Sequence, residues 1–170
     1  MEKWFDKKFE LGLDDNKLKG LLEKLDDAPG KIENLVKDLS EDILNNKPDG
    51  KWSIKENIGH LIELEALHSV RIDDFIANKE MLSLADLQNK KTDEADYNKK
   101  SIAEIINNFK NVRKDFVGKL NSLSEEVVKR KSIHPRLKQE MRPVDMVYFV
   151  AEHDDHHIKT ITNLIEKSNS

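Results

Sequence analysis

In the stretch KKSIAEIINNFKNVRKDFVGKL the apolar residues Ile102, Ile105, Ile106, Phe109, Val112, Phe116 and Leu120 recur every three or four positions. That period gathers them on one face of a helix and would scatter them over both faces of a strand. The same spacing runs through GKIENLVKDLSEDIL (Ile32, Leu35, Val36, Leu39, Ile43), through residues 53–78, and from Arg142 to about Glu166. A shorter stripe, Leu18, Leu21, Leu22 and Leu25, precedes them and predicts a helix that APG at 28–30 breaks. The 170 residues contain only 6 Gly and 4 Pro, too few breaks for a β-rich topology. The expectation is an all-α chain: one domain over 1–170, a four-helix bundle with room for an extra N-terminal helix.

Local signals place the boundaries. NNKPDGKW is a loop punctuated by Pro48 and Gly50. SIKE is a capping box, with Ser53 and Glu56 each satisfying the other's amide, so a helix starts at Ser53. Pro143 suits the first turn of the last helix. Residues 79–97 and 122–141 show no usable period and are expected to be irregular loops.

Composition excludes several functions. With no Cys there is no disulfide, no thiolate nucleophile and no Cys-ligated zinc or iron–sulfur site, so a metal must use His, Asp or Glu. A net charge of −4 and the lack of a basic stripe interleaved with aromatics give no nucleic-acid surface. No apolar run approaches a membrane span or a signal peptide, and the cytoplasm is the default compartment. A homodimer is expected only because homodimers are common.

Three of the six histidines fall within VAEHDDHHIKTI. His153 and His157 are i and i+4 on the apolar side of the last helix, where two imidazoles can converge on one ion; His156 lies at the border of that face. Asp154 falls on the apolar side and must reach solvent or orient an imidazole. In the second long helix Glu65 lies within the apolar arc and His68 at its edge, while His60 shares a flank with Leu64 and Leu67. A metal site, a polar helix face and hydrogen-bonded core histidines all satisfy this pattern.

KPDGKWSIKENIGHLIELEALHSVRIDDF resembles a signature of the DinB family: a loop ending in Trp-Ser, a helix carrying His-Leu, an acidic residue five positions on, and a later Arg. IHPRL followed by EHDDHHIKTI is similar to the family's second signature, a His-Pro loop before a His-x-x-x-His helix. The similarity spans about residues 30–166 and implies a YfiT-like four-helix bundle holding a divalent metal, zinc or nickel, on His60, His153 and His157. It also implies that Glu65 lies near the metal, as a fourth ligand or as base for a bound water. His68, His134 and His156 match no ligand position and are expected as polar surface or loop residues.

Family members include low-molecular-weight thiol S-transferases and relatives regarded as hydrolases, so a small-molecule substrate, a thiol among the options, is the expected partner. A structural metal site and a metal-free helical interaction module are the competing readings. Among other residues, Trp52 is expected to anchor the start of its helix by packing, and Arg71 to pair with Asp74 or reach solvent. Trp4, Phe5 and Phe9 are expected to cover a bundle edge or a dimer surface.

Overall fold

A computed structural model of the chain describes residues 3–168. Its elements are α1 (Leu18–Val36), α2 (Glu41–Asn45), α3 (Ile54–Ile76), α4 (Lys90–Glu94), α5 (Ile102–Asn121), α6 (Glu125–Val128), the antiparallel strands β1 (Ser132–Ile133) and β2 (Glu140–Met141), and α7 (Pro143–Ser168). The four long helices form the bundle. α1 packs on α5 and α7, and α3 packs on the same two, so α1 and α3 face each other across a diagonal.

The buried side chains form two apolar clusters, and their membership gives the helix directions. One holds Leu22 and Leu25 of α1, Ile72 and Phe75 of α3, Phe116 and Leu120 of α5, and Met146 and Val150 of α7. The other holds Ile32, Val36, Ile58, Leu61, Ile105, Phe109 and Ile161. Thus α1 and α7 run from the first cluster to the second, and α3 and α5 run back. Because α3 and α5 are parallel, the chain between them, residues 77–101, must retrace the bundle's length. That crossover is the segment whose sequence lacks a period. It is ordered by α4, by a short 3-10 turn at Tyr97–Lys99, and by backbone bonds to β1 (Ile133 N to Glu80 O, 2.8 Å; Leu82 N to Ile133 O, 3.0 Å).

The capping box is present at Ser53 and Glu56, and Ser101 caps α5. Two expectations are corrected. APG does not end a helix: α1 continues through Pro29 to Val36. The proline ring removes the amide that would pair with Leu25 O, and Arg113 Nη1 donates to that carbonyl instead, at 2.9 Å. The apolar stripe expected as one helix over 30–44 divides at residues 37–40, where Ser40 caps the separate α2. Residues 122–141 are also more ordered than expected, carrying α6 and the β1–β2 hairpin.

Between the apolar clusters lies a polar layer. Arg113 Nη1 donates to Asp154 Oδ2 (2.5 Å), and Nη2 to Asp154 Oδ1 (3.1 Å) and Glu65 Oε1 (2.9 Å). With Leu25 O, one guanidinium joins α1, α3, α5 and α7. Its face also lies over the Phe109 ring, 4.9 Å from the centroid.

Removing Arg113 would leave two buried carboxylates without their cation. Arg113→Met is expected to cost about 3–5 kcal/mol in urea unfolding at pH 7, and adding Glu65→Gln and Asp154→Asn should recover much of it. A second expectation concerns the crossover. A Cβ at Gly59 would lie 2.2 Å from the Tyr97 ring, which is buried and pinned by its hydroxyl donating to Glu63 Oε1 at 2.6 Å. Gly59→Ala should therefore destabilise by about 1–3 kcal/mol in the same assay.

Candidate metal centre

His60 sits two turns into α3, and His153 and His157 are successive turns of α7; these helices pack against each other, so the three imidazoles meet. Their ring centroids are 4.6 Å (His153–His157), 5.0 Å (His60–His157) and 5.3 Å (His60–His153) apart. One nitrogen from each lies within 4.8 Å of the others. The flank position of His60 on its helix is explained: the bundle axis is taken by Arg113, and the imidazoles converge in the α3–α7 groove.

The surroundings fix how the rings present themselves. Asn57 Nδ2 donates to Ser53 O (2.8 Å) and Trp52 O (3.3 Å), which turns its Oδ1 toward His157 Nδ1 at 2.9 Å. His157 therefore donates from Nδ1 and keeps the Nε2 lone pair for a ligand role. His60 Nδ1 lies 3.3 Å from Thr92 Oγ1 on α4, an equivalent constraint supplied by the crossover. His153 Nδ1 is buried with no hydrogen-bond partner among the described residues. Burial first, and the neighbouring imidazoles second, hold His153 and His157 well below the ordinary histidine pKa; burial and His68 hold His60 at about 4. Neutral imidazoles with oriented rings and an unpaired nitrogen are what a divalent cation binds, and this donor set fits one.

Trp52 stands 4.7 Å from the His60 ring, and Trp4 stands 4.7 Å from His153 and 5.2 Å from Phe149, centroid to centroid. Trp4 arrives there because Asp145, at the start of α7, accepts from the amides of Gly12 (2.8 Å) and Leu13 (2.9 Å) and pins the N-terminal arm. A cavity of about 710 Å³ opens beside the imidazoles, walled by these tryptophans, by Leu64 and Leu67 of α3 and by Leu84 of the crossover.

Other residues lie elsewhere than the sequence predicts. Glu65 does not join the three imidazoles: its Oε1 accepts from Arg113 and lies 3.5 Å from His68 Nδ1. Burial alone would raise its carboxyl, but Arg113 and His68 bring it below the usual range. Asp154 neither reaches solvent nor orients an imidazole; it is the bidentate partner of Arg113. His68 and His134 are not surface residues but buried, at 4% and 2% exposure, and both line the cavity. His156 is half-buried beside Trp4. Arg71 Nε donates to Ser83 O (3.0 Å) and its Nη1 lies 3.2 Å from His134 Nε2, rather than pairing with Asp74 or reaching solvent. Sequence reasoning also missed Trp4, Asn57 and Thr92. Only the stripe His60–Leu64–Leu67–Arg71, at i, i+4, i+7 and i+11, offered a signal for this wall.

A model of the DinB superfamily matches residues 24–161. A comparison with curated proteins finds no match. Among solved structures, YfiT from Bacillus subtilis, described as a probable metal-dependent hydrolase with an unusual four-helix bundle topology, is similar with a TM-score of 0.80. It is 18% identical, over 96% of this chain and 94% of YfiT, a likeness of fold.

The depressed histidines set a sign for stability against pH. His60 is held at about 4 and His134 at about 3, the latter by burial and then by Arg71 and Arg136; unfolded, both titrate near 6.5. Above that value both states are neutral and these residues give no pH dependence. Below it the unfolded chain binds protons that the folded chain refuses, so stability falls as pH drops from about 6.5 toward 3–4. The urea midpoint of chelator-treated protein should fall between pH 7 and pH 4.5, and His134→Gln should flatten part of that slope.

Proposed function

The chain belongs to the DinB superfamily, and on that premise we propose that it is a metal-dependent enzyme acting on a small molecule taken into the cavity beside His60, His153 and His157. The observation that carries this reading is the convergence of three buried, neutral imidazoles, one nitrogen of each within 4.8 Å of the others, at an open cavity rather than in a closed shell. His60, His153 and His157 would hold the ion, and imidazole donors suit zinc or nickel. A divalent cation there supplies Lewis-acid polarisation and lowers the pKa of water or of a thiol. Three protein ligands leave room for either, as catalytic rather than structural sites do.

The remaining steps belong to the protein. Asn57 and Thr92 fix the rings of His157 and His60, so the ligand nitrogens are preorganised. Trp4 and Trp52 shield the imidazoles from bulk water. His68 lines the cavity with Nδ1 turned to Glu65, and it is the group placed to hold or move a proton, with Glu65 acting through it.

Hydrolysis is the reaction class we favour, in line with the description of YfiT. Transfer to a low-molecular-weight thiol is the second reading. It is favoured by the engagement of Glu65 with Arg113, which leaves no carboxylate base within the group of imidazoles among the described residues. A thiol needs less help to ionise than water does.

Elemental analysis of tag-free protein tests the centre. Wild type should carry about one equivalent of zinc or nickel, His153→Ala and His157→Ala should lose it, and His68→Gln should keep it. Wild type that stays metal-free after reconstitution with either ion would end this reading.

A further inference from the structure

The cavity extends beyond the three imidazoles to an end built of donors without an acceptor. His134 Nδ1 accepts from the amides of Arg136 and Leu137, both at 3.2 Å. A neutral imidazole whose Nδ1 accepts carries its proton on Nε2. That nitrogen faces Arg71 Nη1 at 3.2 Å, so N–H is set against N–H. Arg136 adds a third donor, for its Nη2 is buried with no hydrogen-bond partner among the described residues. Its guanidinium lies over the rings of Phe5 and Phe149, at 5.3 and 5.8 Å from their centroids.

No carboxylate hydrogen-bonds Arg71, His134 or Arg136 among the described residues. Asp74, the acidic group acting on Arg71, gives its oxygens to Lys79 and the Ser83 amide, both at 2.7 Å. Asp86, the carboxylate on the cavity lining, caps the amides of Gln88 and Lys90 at 3.0 Å. A cluster of buried donors with unmet capacity is costly, and a bound oxyanion satisfies all of it at once.

The path from this end to the imidazoles is a single stripe on α3. His60, Leu64, Leu67 and Arg71 lie on one face, and His60 and Arg71 are roughly 16 Å apart along the axis at 1.5 Å per residue. Leu64 and Leu67 line the middle of the cavity, and Leu84 and Leu87, exposed at 77% and 63%, stand on its rim. We infer that the cavity takes an elongated amphipathic molecule, its carboxylate or phosphate held by Arg71, His134 and Arg136, its apolar body along Leu64 and Leu67, and its other end at His60, His153 and His157. The placement of that other end rests on the metal reading; the anion site does not.

Isothermal titration of metal-loaded protein with octanoate and with octan-1-ol tests it. Charge-assisted hydrogen bonds predict that octanoate binds at least about tenfold more tightly. The preference should collapse in Arg71→Gln/Arg136→Gln while octan-1-ol binding and metal content hold. Arg136→Gln alone, changing only a half-buried side chain, should lose part of the preference with an unchanged melting curve, which covers misfolding of the double variant. His153→Ala separates the two readings: the preference for octanoate should persist there without metal. A preference lost in His153→Ala but kept in the arginine variants would put the carboxylate on the metal and overturn the proposal, as would equal binding of acid and alcohol by wild type.

Discussion

One guanidinium holds this bundle in register. Arg113 reaches a carbonyl of α1, a carboxylate of α3 and a carboxylate of α7 from its own place on α5. It lies between the two apolar clusters, which alone would tolerate sliding and rotation, since hydrophobic contact is not directional. Buried ion pairs are often no more stabilising than apolar residues of similar volume. What this one supplies is geometry: each partner is met at a defined angle, and the helix with a proline in its middle is completed only when α5 stands at the right height. Burial and Glu65 push the Asp154 carboxyl upward against the pull of Arg113, which limits the negative excess of two carboxylates around one cation.

That layer also decides where chemistry can happen. With the axis filled, the imidazoles are displaced into the α3–α7 groove, and the groove opens outward where an axial site would be sealed. The parallel pairing of α3 and α5 then forces residues 77–101 to pass over the outside of the bundle. Their passage places Thr92 against His60 and Leu84 on the cavity wall. A topology that follows from chain direction thus becomes one side of the site.

How much of this could be read from the sequence follows from the range of the interactions. The capping box at Ser53, the proline opening α7 and the i,i+4 pair His153–His157 are local, and each is found where the sequence puts it. The long amphipathic stripes gave the bundle for the same reason. His60 came only through the family resemblance, since its flank position made sense once the axis was known to be occupied. Pro29 misled because the donor that rescues Leu25 O is 88 residues away. His68 and His134 looked like surface residues because nothing within a turn of either reveals what buries it. Trp4 lies in a segment held by Asp145, more than 130 residues on, and no period in the N-terminal arm could announce that contact.

The charges of the molecule are sorted by depth. The core layer sets two carboxylates around one cation, while the cavity wall sets the guanidiniums of Arg71 and Arg136 where no carboxylate hydrogen-bonds them among the described residues. Glu65 and His68 stand at the boundary, since Glu65 accepts from Arg113 on one side and faces His68 on the other. Glu65 thus carries the contact between the core layer and the cavity wall, with one oxygen shared between Arg113 and His68. Fold and site are coupled through one carboxylate, because the guanidinium that joins the four helices also holds the acceptor that faces the cavity wall.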